Sequence, residues 1–271
     1  MQSRVVYFQK FDSPLMQYRS NIHSQSGEDG LLAHIIGVIQ PAEKYCVEFG
    51  AWDGVHFSNC NALVTTAGWG GLMIEGNPDR FKQLVATFAA YPQVTPLNQF
   101  VEFEGDNTLD GILTRQGAPQ SPGVLSIDID GNDYHIWESL KGFTPEIVVI
   151  EINPTIPNDV YFIQDKSPSV NHGCSLLAAI LLGKQKGYEL AVVTTFNAFF
   201  VRNDKFGLLG IADNSIHKLY QPPQNGRIFQ GMDGTIHVVG MDHLVWRQQP
   251  LTFEDFQVLP PEDRVYGDAQ R

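Results

Sequence analysis

An open α/β sheet of seven mostly parallel strands is predicted from three observations. Short apolar segments alternate with segments that are apolar at helical spacing, from about residue 24 to residue 201. Ile147, Val148, Val149 and Ile150 run unbroken, as in a strand covered on both faces. Residues 188–194 and 198–201 read as two strands joined by a short turn near Asn197, so the series closes on a hairpin.

The first element is a helix opened by Ser24-Gln25-Ser26-Gly27-Glu28-Asp29, where serine can cap and the acids suit the positive end. Leu31, Leu32, Ile35, Ile36 and Ile39 give its apolar face, and Pro41 ends it. Residues 45–49 form a buried strand leading into a glycine-bearing turn, and residues 71–75 form a second strand. Asn77 and Pro78 occupy N-cap and first-turn positions of a helix whose buried face is Phe81, Leu84, Val85 and Phe88. Residues 94–98 make a third strand, at a sheet edge because Pro96 cannot donate to a ladder. Residues 123–128 are a fourth strand, followed by a helix over about 133–141; residues 146–151 are a fifth, and 175–186 a further helix. The remainder carries Pro222-Pro223, Asn225-Gly226, Asp233-Gly234 and Pro260-Pro261 and lacks regular periodicity. The expected organisation is a domain over residues 1–201, with a helical lead-in at 20–40, and an appendage over 202–271 packed on the same domain beside its site.

Composition narrows the function classes. The 271 residues are 43% hydrophobic and 18% charged, as in a globular enzyme, with a net charge of −12. An acidic surface disfavours a nucleic-acid or anionic-membrane partner. Cys46, Cys60 and Cys174 match no zinc spacing and form no disulfide framework, and Cys46 reads as a small core residue. No apolar run approaches the roughly 20 residues of a membrane span, and residues 1–13 lack a signal peptide's apolar stretch. A cytoplasmic location is the resulting expectation; homo-oligomerisation is left open.

Ligands of open parallel sheets bind at the carboxyl ends of the strands. The first such end reads Glu48-Phe49-Gly50-Ala51-Trp52-Asp53-Gly54, where glycine lets a turn approach a ligand and an acid can hold a cationic or hydroxyl-bearing part of it. The spacing departs from GxGxxG, which disfavours a nicotinamide dinucleotide and the oxidoreductase reading. Glu75 ends the next strand 25 positions after Gly50, an interval at which an acid can take both hydroxyls of a ribose. Together these describe an adenosine-binding half without a pyrophosphate cradle, which suits S-adenosylmethionine. His56, Ser58 and Asn59 follow the turn, within reach of the methionine part of such a ligand.

With these segments in view, the chain resembles methyltransferases of the FkbM-like group. The resemblance rests on SQSGEDG at 24–30, VEFGAWDG at 47–54, GLMIEGNP at 71–78, LSIDIDGNDYHIW at 125–137 and IVVIEINP at 147–154, and extends through 183–201. It implies a seven-stranded Rossmann-like methyltransferase sheet of class I, with Glu48, Gly50, Asp53 and Glu75 at cofactor positions, and Ala51 and Gly54 in the same turn. The group's fourth-strand motif commonly reads Asp-x-Glu-Gly-x-Glu. Here it reads Asp128-Ile129-Asp130-Gly131-Asn132-Asp133, with shorter acids.

Asp128, Asp130, Asn132 and Asp133 crowd one strand end, and Asp128 and Asp130 share a side-chain direction if the strand persists that far. Glu151 and Asn153 end the neighbouring strand. A calcium loop starting at Asp128 fails, because Asp133 holds the glycine position and Ser139 the bidentate glutamate position. Three readings stay open: a Mg²⁺ (or Mn²⁺) site made by Asp128, Glu151 and Asn153; a metal-free site in which Asp130 or Asp133 is the general base and the other acids bind hydroxyls; and acids that only cap the next helix and hold loops. His172 lies in a loop that can border the substrate, whereas His135 reads as a satisfied helix histidine. Trp52, Trp69, Trp137 and Trp246 are read as packing residues, Trp52 with a place in the cofactor turn. The expected activity is S-adenosylmethionine-dependent O-methylation of a small hydroxylated metabolite or sugar; the alternative is a catalytically silent binding or scaffold module of the same fold.

Overall fold

The computed structural model describes residues 13–223 and 226–266. The expectation at residues 1–12, and the Asn225 half of the Asn225-Gly226 turn, lie outside them.

Helix α1 (Glu28–Ile39) leads into β1 (Tyr45–Phe49), α2 (Asn61–Thr65), β2 (Gly70–Glu75), α3 (Pro78–Phe88) and β3 (Val94–Asn98). Then come α4 (Leu109–Arg115), β4 (Val124–Ile127), α5 (Asp133–Ser139), β5 (Ile147–Glu151), α6 (Leu176–Gln185), β6 (Tyr188–Val193) and β7 (Asn197–Arg202). These seven strands form one sheet in the order β3-β2-β1-β4-β5-β7-β6. All neighbours among the first five pair in parallel, and β7 runs antiparallel between β5 and β6. The expected edge position of the proline-bearing strand is found: β3 is the outermost strand on its side.

The period of two assigns each strand's side chains to two cores. Val47, Phe49, Leu125, Ile127, Val148 and Ile150 face one cluster with α4, α5 and α6. Cys46, Met73, Val124, Ile147, Val149 and Phe199 face the other, with α1 and α3. Trp137 and Phe200, ring centroids 5.0 Å apart, fill the first cluster where Gly183 lets α6 approach. The three cysteines are buried and free.

Local chemistry sets the helix starts. The Asn77 side chain accepts from the backbone of Asp79 and Arg80, with Pro78 behind it; Thr108 and Ser175 cap α4 and α6 in the same way. Helix α1 begins at Glu28 after Gly27, yet the Ser24 hydroxyl still accepts from the Asp29 N–H at 3.0 Å. On α3, Leu84 and Phe88 are buried as expected, while Val85 faces solvent. Helices α2 and α4 were not anticipated from the sequence.

Beyond β7, two short helices, α7 (Asn203–Phe206) and α8 (Ile216–Leu219), are followed by the antiparallel pair β8 (Arg227–Gln230) and β9 (Ile236–Val239). A second pair, β10 (His243–Leu244) and β11 (Gln249–Pro250), is joined by a turn over 245–248. Among the described residues no helix is long and apolar enough to cross a membrane.

Candidate functional site

Strand order reverses between β1 and β4, and a crevice opens there at their carboxyl ends, where open parallel sheets bind ligands. The turn after β1 forms one wall. Gly50 has φ +75°, and a Cβ built on it would lie 1.7 Å from the carbonyl oxygen of Asp128, so glycine here serves the meeting of the β1 and β4 turns. Trp52 follows at φ +47°. The Glu75 carboxylate ties this wall together: it accepts from the Trp52 N–H at 2.9 Å and the Asn77 N–H at 2.6 Å. Asp53 accepts from the N–H groups of Val55 and His56, both at 2.8 Å, and contacts the His56 ring.

Glu48 shares the parity of Cys46 and is 4% exposed. One of its oxygens accepts from the Ser58 hydroxyl at 2.6 Å, the other from the Asn59 N–H at 2.7 Å. Burial pushes its carboxyl up to about 7, against the opposing pull of the bonds from Ser58, Asn59 and Cys60. Asn59 donates to the Ser126 hydroxyl, and its buried side-chain oxygen has no partner among the described residues.

The raised Glu48 carboxyl carries a stability consequence. Its folded value lies above the ordinary glutamate value of 4.5, so the folded chain binds more protons across that window and stability falls as pH rises through it. A gap from 4.5 to about 7 corresponds to roughly 3 kcal/mol. Urea unfolding of the wild type and Glu48→Gln should show the wild type losing about that much, relative to the variant, between about pH 4.5 and 7. Parallel stability curves would show that Glu48 is not desolvated.

The opposite wall is the turn after β4. The strand stops at Ile127, and Asp130 has φ +58°, so Asp128 and Asp130 meet through a turn and not through strand periodicity. Oxygens of Asp128, Asp130 and Glu151 all lie within 4.8 Å of one another. Burial, then the neighbouring charges of Asp133 and Asp130, raises Asp128 well above the usual carboxylate range. Burial, then Asp128, does the same to Glu151.

Asp133 has a different task. It is 1% exposed, and its two oxygens accept from the N–H groups of Ile129 and Gly131, both at 2.9 Å, so it fixes the acidic turn from behind. Burial, partly offset by those bonds, raises its carboxyl to about 6. Asn153, expected beside Asp128 and Glu151 as a ligand, has its side-chain oxygen engaged by the Thr155 N–H and hydroxyl. Asp130 joins Asp128 and Glu151 in the oxygen cluster. His135 contacts the Gln164 carbonyl at 2.9 Å, as a satisfied helix histidine would.

Gln164 organises the third wall. It donates to the Asn132 side-chain oxygen and the Val170 carbonyl, and accepts from the N–H groups of His172 and Gly173. Asn171, on the loop so held, donates to the Asp130 carbonyl at 2.7 Å.

Two cavities meet at this point. The larger, about 840 Å³, is lined by Glu48, Gly50, Ala51, Ser58, Asn59 and Glu75, with Trp52 and Phe100 among its apolar walls and Asp128 and Asp130 at one end. The smaller, about 670 Å³, is lined by Glu151, Asn153, His172 and the segment 243–247. Asp130, Asn171 and Trp246 line both. The acidic trio therefore forms the seam: Asp128 faces the first cavity, Glu151 the second, Asp130 both. Asp53 and Gly54 line neither and lie behind the turn; a Cβ on Gly54 would meet Phe88 and Leu84.

Some lining residues were not anticipated. Gln25 reaches the larger cavity from the segment before α1, which Asp29 shapes by accepting from the N–H groups of Ile22, His23 and Ser24. Phe100 is 68% exposed against Gly76. Trp69 and Trp137 are packing residues as expected, but Trp246 is 56% exposed and belongs to the cavity walls.

No protein-family model and no curated protein matches the chain. Among solved structures, it is similar to the citrinin polyketide synthase CMeT domain, at 12% identity over 59% of this chain and 46% of that one, with a TM-score of 0.39. An O-methyltransferase family protein from Burkholderia thailandensis shares 12% identity over 65% and 58%, with a TM-score of 0.38. A SAM dependent methyltransferase from Aquifex aeolicus shares 13% over 70% and 97%, with a TM-score of 0.40. The chain spans about half the length of the first two. The architecture itself rests on the chain's own strand order: seven strands, mostly parallel, closed by an antiparallel hairpin, a Rossmann-like sheet.

Proposed function

We propose that the chain is an S-adenosylmethionine-dependent O-methyltransferase of FkbM-like type, acting on a hydroxyl of a small metabolite. The observation that carries this reading is the pair of cavities with three carboxylates at their seam. A group transfer needs a place for each reactant and a proton acceptor where they meet.

The residues of the larger cavity fit the cofactor. A carboxylate offers about four lone-pair sites; Glu75 spends two on backbone N–H groups, which leaves capacity for two ribose hydroxyls. The unpartnered Asn59 oxygen and the buried Glu48 beside it suit an ammonium group. Phe100 offers a ring face to a planar base, while the Trp52 ring carries the Arg80 guanidinium at 4.4 Å. When bound, S-adenosylmethionine supplies a methyl group already activated by its sulfonium. The protein then has to hold the acceptor hydroxyl in line and take its proton. Asp130, exposed to both cavities, is placed for that, with Asp128 and Glu151 sharing the charge.

The same oxygens suit a hard divalent cation, Mg²⁺ or Mn²⁺, with Asp128, Asp130 and Glu151 as ligands. Such an ion would offset their mutual repulsion and lower the pKa of an acceptor hydroxyl.

The cofactor reading is tested by calorimetric titration with S-adenosylmethionine and S-adenosylhomocysteine. Micromolar binding is expected, and Glu75→Ala should weaken it by about 1.5–3 kcal/mol, the scale of hydrogen bonds to a charged group. Absence of binding to the wild type would return the chain to the scaffold reading. Unchanged affinity in the variant would place the ribose elsewhere.

A further inference from the structure

The smaller cavity has a chemical character of its own. Its floor is the end of β5 and the loop at 171–173; its roof is the turn between β10 and β11. The roof brings Arg247 over the cavity, and the floor brings His172. No hydrogen bond or ion pair joins either side chain to another described residue, so their N–H groups are available. His243 adds a second imidazole to the wall. Among the described residues, Arg247 is the one guanidinium or ammonium on this lining, and it answers the two carboxylates of the same cavity, Asp130 and Glu151. Trp246 stands at the boundary between the cavities with 56% of its surface exposed, a ring face without a packing partner of its own size among the described residues.

The same cavity is lined by Asp130 and Glu151, which can only accept hydrogen bonds when ionised. A ligand that satisfies both ends carries a hydroxyl for the carboxylates and an oxyanion for the guanidinium, since Arg presents a planar fork matched to carboxylate and phosphate. We propose that the smaller cavity is the acceptor cavity and that it selects an acceptor bearing an oxyanionic group. Arg247 and His172 hold that group, Trp246 covers the body of the molecule, and the reacting hydroxyl turns to Asp130 and Glu151. This rests on the methyltransferase reading for the word acceptor, but the oxyanion site stands on the cavity alone.

The test uses the full chain and two probes, inorganic phosphate and acetate, with sodium chloride as the ionic-strength control. Tryptophan emission is recorded, and the Trp246→Phe variant assigns the signal, since Trp69 and Trp137 are enclosed and Trp52 lines the larger cavity only. A saturable change with millimolar midpoint is expected for at least one probe, absent in Trp246→Phe. It should weaken at least tenfold in Arg247→Gln and stay within twofold of wild type in Arg80→Gln, which removes the cation of the larger cavity. Phosphate binding more tightly than acetate assigns a phosphorylated acceptor; the reverse assigns a carboxylic acid. No saturable change with either probe, or equal midpoints in wild type and Arg247→Gln, overturns the proposal. S-adenosylhomocysteine affinity, measured on the same samples, should be unaltered by Arg247→Gln. If that ligand fails to bind the wild type while phosphate or acetate does, the methyltransferase reading fails and the oxyanion site remains.

Discussion

Gly50→Ala is expected to destabilise the chain by more than about 4 kcal/mol, a size that marks a specific structural break and not an ordinary substitution. Two costs add at this position. The first is the left-handed backbone, φ +75°, which burdens an L-residue by roughly 1–2 kcal/mol. The second is overlap: the new Cβ would lie 1.7 Å from the Asp128 carbonyl oxygen and 2.9 Å from its carbonyl carbon. That neighbour is backbone and cannot rotate away, so the β1 and β4 turns must separate. Gly187→Ala isolates the first cost, because Gly187 has φ +85° and nothing within 4 Å of its Cβ position. It should cost only about 1–2 kcal/mol. Urea unfolding of both variants measures the difference. Equal destabilisation would mean that the two turns do not touch, and the seam between the cavities would lose its basis.

Much of the sheet was legible because its signals are local. Ile147–Ile150 lacks any polar interruption, and Pro96 marks the edge strand whatever the rest of the chain does. Helix α4 escaped because it is seven residues long and contains Gly111, although Leu109, Ile112 and Leu113 have helical spacing and are fully buried. Helix α2 is shorter still, at five residues. The turn expected near Asn197 falls just before it: Asn197 opens β7 opposite Glu151, buried in the sheet.

In the site, strand-end acids were readable from position, since a carboxyl-end location is fixed once the strands are placed. What each acid does was not. Asp133 and Asp130 are three positions apart and equally acidic in sequence, yet one is enclosed by backbone N–H groups and the other faces both cavities. That split depends on the left-handed turn at Asp130, which no local pattern announced. Gln25 and Trp246 come to the cavities from the segment before α1 and the turn before β11, so only tertiary contact reveals them.

Asp130→Asn separates the chemical role of the seam from its architecture. Asparagine keeps nearly the same volume and tolerates the left-handed region, so φ +58° is retained. The Asn171 bond to the residue 130 carbonyl is a backbone contact and survives the change. What is lost is a proton acceptor and one carboxylate of the trio. Loss of a positioned general base costs about 10²- to 10⁴-fold in rate, so kcat should fall by that factor while S-adenosylhomocysteine affinity stays within about twofold. Excess chelator then distinguishes how the trio acts. If Asp128, Asp130 and Glu151 hold Mg²⁺ or Mn²⁺, chelator abolishes wild-type turnover and either ion restores it, and Asp130→Asn raises the ion concentration needed. Full turnover in chelator removes the ion and leaves proton transfer to the carboxylate. The two mechanisms also differ in Glu151→Gln. A shared metal makes that variant as damaging as Asp130→Asn, because each replaces one anionic ligand of the same ion with a neutral amide. A lone base at Asp130 makes Glu151→Gln the milder of the two, since it relieves repulsion on the base while leaving it in place. Wild-type kcat in both variants would take the trio out of the reaction altogether.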